Sequence, residues 1–228
     1  MGGPLILMGI DAEDGGPGGH GPITVYESVV NSILSDVTNG GSGILVIGGG
    51  KSPTDNVTTF WNTLSADIGV PVKYVNRAAI ATQSFSGFAM LAVVSSVPQT
   101  PSGGLTNVEN LLLNTRQTDI ADFINSGGGF LGFTQTGLTT RFAYLERVGT
   151  FTTTSGLDYY NIAPTPAGLA VGITNALDVC EVFDTFPSFL QILATDNLSG
   201  DLGFGKPAAI GRARVAVPIV PVRGILLF

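Results

Sequence analysis

Gly127-Gly128-Gly129-Phe130-Leu131-Gly132-Phe133-Thr134-Gln135-Thr136-Gly137 decides how this chain is read. A glycine triplet stops a helix, a short apolar run forms a buried strand, and a Gly-flanked turn follows it. A strand entering so sharp a turn is the geometry that lifts a nucleophile above a sheet, and the residue at the turn is Thr134, not a cysteine or serine.

Working outward, the same grammar repeats on the N-terminal side. Leu5 to Ile10 is a continuous apolar run, as a strand buried on both faces requires, and a Gly-rich loop from Asp11 to Pro22 follows it. Thr24 and Glu27 have capping-box spacing. The helix they predict carries Val25, Val29, Ile33 and Val37 at spacings of four, with Tyr26, Val30 and Leu34 beside them. Ile44 to Ile47 is a second strand ending in Gly48-Gly49-Gly50, and Val57, Phe60, Trp61, Leu64 and Ile68 mark the next helix face. Val72 to Val75 and Phe88 to Ser95 continue the alternation. Thr106 and Glu109 predict another capped helix, with Val108, Leu111, Leu112, Ile120, Phe123 and Ile124 inward and a break near Asn114.

Alternating strands and helices of these lengths predict an α/β fold of three layers, a mostly parallel sheet with helices on both faces. From about Phe151 the pattern changes to threonines, short apolar runs such as Phe189 to Ala194, and prolines. An antiparallel C-terminal extension is expected there. Residues 1–211 read as one α/β domain. Residues 212–228 hold three of the arginines with Pro218 and Pro221 in an apolar run, which suits an edge strand or an assembly arm. Deleting that tail is expected to reduce assembly.

Charged residues make up only 12% of the 228 positions, and lysine occurs only at Lys51, Lys73 and Lys206. A surface of Ser, Thr, Asn and Gly has little charge repulsion against self-association, so the expected partner is a second copy of the chain, in an oligomer or polymer. The formal charge of −7 argues against nucleic acid, which requires a basic patch. The single cysteine, Cys180, excludes an intrachain disulfide and a cysteine-based zinc site, and reads as a small buried hydrophobe. The run Leu5 to Ile10 is too short for a signal-peptide core or a membrane span. An extracellular or cell-surface setting suits the composition better than a metabolic role.

The helix ending in Asp122-Phe123-Ile124-Asn125-Ser126-Gly127-Gly128-Gly129 and the strand Phe130-Leu131-Gly132-Phe133 together resemble the class I glutamine amidotransferase-like superfamily, in particular its trehalose-utilisation-like branch. Pro164-Thr165-Pro166-Ala167-Gly168-Leu169, Gln191-Ile192-Leu193-Ala194-Thr195 and the stretch from Lys206 to Val215 resemble later segments of that branch. The resemblance spans roughly residues 5 to 217 and implies a flavodoxin-like, amidotransferase-like fold. It also implies a cysteine nucleophile at the elbow supported by a later histidine and glutamate. Cysteine is missing at the elbow, and the sole histidine, His20, precedes it, so glutamine hydrolysis is not expected. The expected role is a non-catalytic, self-associating structural or binding subunit, such as part of an extracellular filament or layer.

Three stretches offer chemistry beside that expectation. Asp11, Glu13, Asp14 and His20, in the loop after the first strand, could hold a divalent metal, with oxygen ligands suiting calcium, magnesium or manganese and His20 admitting zinc. With such an ion, Thr134 or Gln135 would position the substrate of a metal-assisted hydrolase, the alternative function. Thr134 could itself be a nucleophile if His20 or a loop carboxylate supplied a base. Gly48-Gly49-Gly50-Lys51-Ser52 lacks the Walker spacing and reads as a close backbone approach, with loose anion binding the alternative. The aromatics Tyr159, Tyr160, Phe183, Phe186 and Phe189 could floor a sugar-binding or partner surface, or belong to the core.

Overall fold

The computed structural model describes residues 2–96 and 102–212. The tail assigned above to an assembly arm lies, beyond Arg212, outside the described residues. Five strands follow the apolar runs: β1 (Leu5–Met8), β2 (Ile44–Ile47), β3 (Val72–Val75), β4 (Met90–Val93) and β5 (Gly129–Gly132). They pair in parallel in the order β3-β2-β4-β5-β1. All but β3 are buried along their whole length, which is why their sequences are continuously apolar and not alternating.

The helices α1 (Ile23–Asp36), α2 (Asn56–Ile68), α3 (Asn107–Asn114) and α4 (Gln117–Asn125) complete the three layers. α1 and α2 pack on each other, while α3 packs on a short 3-10 turn at Arg77–Ala81 and α4 on another at Ala143–Leu145. Tyr26, Phe60, Trp61 and Phe133 form an aromatic cluster beneath the α1/α2 layer, mostly edge to face.

Two details of these helices differ from the sequence reading. Thr24 and Glu27 form no capping box, because α1 starts one residue before Thr24, with the extended Pro22 at its N-cap. Proline needs no N–H partner, and the entry is fixed instead by the Tyr26 hydroxyl donating to the His20 carbonyl at 2.6 Å. The box at α3 does form. The Thr106 hydroxyl accepts from Glu109 N at 3.2 Å and Glu109 Oε2 accepts from Thr106 N at 2.9 Å. It also turns α3 away from its apolar stripe. Glu109 points inward, accepting from Lys51 Nζ at 2.7 Å and Arg77 N at 2.8 Å. Asn110 and Leu113 are buried with it, leaving Val108 and Leu111 exposed. The chain breaks after Asn114 as the spacing indicates, and Gly127 ends α4 in the left-handed region at φ 97°.

The second half is the antiparallel extension. β10 (Pro207–Arg212) runs antiparallel beside β1, followed outward by β9 (Gln191–Thr195) and the two-residue β7 (Ala163–Pro164). A separate ribbon joins β6 (Thr152–Asn161) to β8 (Asp178–Thr185). The short α5 (Pro166–Ala170) packs on β9. β8 crosses directly over the end of β1, where the Gly9 carbonyl accepts from both Cys180 N at 3.0 Å and Glu181 N at 2.9 Å. A Cβ at Gly9 would stand 1.7 Å from the Glu181 carbonyl, so only glycine fits this crossing.

The chain leaving β1 runs to α1, whereas the chain leaving β5 runs to the 143–145 turn on the other layer. The carboxyl ends of β1 and β5 therefore flank a point where connections diverge, the place where open α/β sheets bind ligands. β8 delivers further side chains to the same spot.

Candidate functional site at the carboxyl edge of the sheet

The elbow after β5 is held shut by a carboxylate from β8. Glu181 is fully buried. Its Oε2 accepts from the Thr134 hydroxyl and from Gln135 N, both at 2.7 Å. Its Oε1 accepts from Thr153 Oγ1 at 2.7 Å and from Arg141 Nη1 at 3.1 Å. Four donors satisfy both oxygens, and the arginine compensates the buried charge. Thr134 is 2% exposed, and its backbone is also tied, N–H to the Ile10 carbonyl at 3.1 Å and carbonyl to Ser96 N at 3.0 Å. Gln135 is likewise buried. Cys180 is buried nearby, its thiol pushed up by desolvation and by the negative charge of Asp11. A nucleophile needs an accessible lone pair and a base with spare capacity, and this elbow offers neither.

The loop after β1 divides its acidic residues between two places. Glu13 leaves the edge entirely: Oε1 accepts from Trp61 Nε1 at 2.9 Å, and Oε2 accepts from Ser95 N at 3.0 Å and from the Ser95 hydroxyl. Complete burial raises its carboxyl from 4.5 to about 7 despite those donors. Glu13 therefore bridges the first loop to α2 and to the end of β4, and does not join the metal-type cluster expected of it.

Asp11, Asp14 and His20 do come together, with one ligand atom from each lying within 4.8 Å of the others, a group that could hold a metal ion. His20 Nδ1 donates to Asp178 Oδ1 at 2.8 Å and stands 3.5 Å from Asp11 Oδ1, while Nε2 stands 3.9 Å from Asp14 Oδ2. The Tyr159 hydroxyl donates to Asp11 Oδ2 at 3.2 Å, and its ring lies 5.0 Å from the imidazole. Burial raises the Asp11 carboxyl, partly countered by His20. The Asp178 hydrogen bond, with Asp11 and Asp14 adding to it, raises His20. Three aspartates thus surround one imidazole, a setting that favours cations.

Of the residues expected from sequence, the structure gathers Asp11, Asp14 and His20, and places Thr134 and Gln135 at an internally bonded elbow. Sequence reasoning missed Glu181, Asp178 and Arg141, and read Tyr159 as part of an aromatic surface and not as a partner of Asp11. The available signal was the run Val179-Cys180-Glu181-Val182-Phe183, where a single carboxylate interrupts an apolar strand and so requires a buried partner. The Gly48–Gly50 segment also resolves: Lys51 reaches Glu109 and the Gly104 carbonyl, so its ammonium serves the α3 cap. No helix among the described residues is long and apolar enough to cross a membrane. Phe183 is core, packed 5.3 Å from Phe142, whereas Tyr159 and Tyr160 are exposed.

The fold and this edge define the class as a three-layer α/β protein with a mostly parallel sheet and an antiparallel extension. Compared with protein-family models, curated proteins and solved structures, the chain matches none.

Proposed function

We propose that this chain is a non-catalytic domain of the amidotransferase-like kind that acts as a self-associating structural or binding subunit. The observation that carries the reading is a set of exposed apolar side chains on the extension. Asp158 N donates to Asp201 Oδ2 at 3.0 Å, which draws the loop before β10 against β6. Close to this contact in the chain Tyr160, Leu202 and Phe204 are exposed, Leu202 by 70%, while the partly exposed Tyr159 turns to Asp11 and His20. Within a chain so poor in charge, such side chains suit contact with another copy. β6 offers a complementary feature, since among the described residues it pairs only with β8, through Thr152 to Ser155 and Tyr160 to Asn161. The internally bonded elbow supports the non-catalytic half of the proposal. A layer or filament outside the cell is the setting that the composition favours.

Sedimentation velocity tests this directly. The wild-type protein is expected to sediment as concentration-dependent assemblies, and the Leu202→Ser/Phe204→Ser variant as smaller species. A wild-type monomer at every concentration would refute it. The second reading, a metal-assisted hydrolase, draws on the grouping of Asp11, Asp14 and His20. It is weaker because Thr134 and Gln135, its substrate-positioning residues, are buried and bonded to Glu181. Metal-dependent hydrolysis of model esters or amides that is lost in His20→Ala would favour it.

A further inference from the structure

We propose that Asp11, Asp14 and His20 form a binding site for a divalent transition metal of the zinc or manganese type, with Asp178 and Tyr159 as positioning residues. The site does not depend on the chain being an enzyme or on its self-association. Acidic groups cluster on many surfaces, and the observation that sets this one apart is Asp11. It is 6% exposed, and its Oδ1 is buried without a hydrogen-bond partner, 3.5 Å from His20 Nδ1, whose N–H is given to Asp178. A buried acceptor with no hydrogen bond of its own carries a desolvation cost that a cation would remove.

The surrounding groups are arranged as supports. His20 donates Nδ1–H to Asp178, which fixes the tautomer and leaves the Nε2 lone pair on the side of Asp14. Tyr159 holds the other oxygen of Asp11, so that Oδ1 is the atom left to coordinate. Tetrahedral coordination at bond lengths near 2.1 Å places ligand atoms roughly 3.4 Å apart. One ligand atom from each residue lies within 4.8 Å of the others, so coordination requires contractions of up to about 1.4 Å. Gly15, Gly16, Gly18 and Gly19 lie between Asp14 and His20, and this stretch can supply that movement without disturbing β1. An imidazole beside two carboxylates selects the first-row transition ions over calcium and magnesium, which take oxygen ligands alone. Glu13 takes no part, since Trp61 and Ser95 occupy both its oxygens.

Isothermal titration of the full chain with Zn2+ and with Mn2+, and Co2+ absorption spectroscopy, test the site. One equivalent is expected to bind, with visible Co2+ bands of a low-coordinate site, and a tenfold excess of Ca2+ or Mg2+ should leave it in place. His20→Ala and Asp11→Asn should each abolish the bands or weaken binding at least about tenfold, and Asp178→Asn should weaken it about 10- to 100-fold. Asp184→Asn, a change in an exposed carboxylate paired with Lys206, should bind as wild type. Circular dichroism establishes that each variant is folded; should His20→Ala fail, Asp11→Asn decides. Absence of saturable binding by the wild type would overturn the proposal. Equal affinity in Asp11→Asn would place the ion elsewhere, and displacement by Ca2+ would refute the ligand class.

Discussion

Glu181 and Glu13 are two fully buried glutamates with opposite compensation. Glu181 has an arginine and three further donors, so removing it leaves Gln135 N–H, two hydroxyls and Arg141 without their acceptor. Glu181→Ala is expected to cost about 3 kcal/mol, read from urea unfolding. Thr134→Cys is expected to yield no glutaminase activity in an ammonia-release assay, because a thiol beside a carboxylate still has no imidazole to shuttle its proton. Glu13 has no cation beside it among the described residues, and burial raises its carboxyl to about 7 in the fold against an ordinary 4.5. The folded state therefore binds this proton more tightly than the unfolded chain. Its stabilising contribution is complete below about pH 4.5 and is lost as pH rises through 7, by roughly 3 kcal/mol. Asp11 and His20, both raised, act in the same direction. The metal-free protein should accordingly show a lower urea midpoint at pH 8 than at pH 5, and Glu13→Gln should flatten the difference.

At the scale of elements, the crossing of β8 over β1 is the joint on which the site depends. Gly9→Ala would force a methyl group into the Glu181 carbonyl, displacing β8 together with Asp178, Cys180 and Glu181. A loss of several kcal/mol is expected, toward the upper end of single-substitution effects. A wild-type melting temperature in Gly9→Ala would contradict the crossing. This joint also explains what was legible in the sequence. The strands β1, β2, β4 and β5 could be read because burial on both faces makes their residues uniformly apolar. The loop bearing Asp11 and His20 could be located from its place after β1. Asp178 could not be assigned to that loop, nor Glu181 to the elbow after β5, because local pattern carries no information on distant partners such as Asp178, 158 residues from His20. The inward face of α3 was misread for a related reason. Its orientation follows an ion pair to Lys51, a contact from another part of the chain, and not its own apolar stripe.

Over the whole molecule, the two halves divide the work. The parallel half buries all its strands but β3 and fastens its elbow internally, while the antiparallel half exposes aromatic and aliphatic side chains beside a ribbon edge. A chain in which only 12% of residues are charged has little to keep such a surface apart from its copies. The apolar character of the contact further predicts that assembly persists or strengthens in high salt, which screens charge but not burial of apolar surface. The most direct measurement is negative-stain electron microscopy of the freshly purified protein at neutral pH over a range of concentrations. Regular filaments, sheets or closed oligomers that disperse in the Leu202→Ser/Phe204→Ser variant are the expected result. Uniformly dispersed single-chain particles at every concentration would contradict the account.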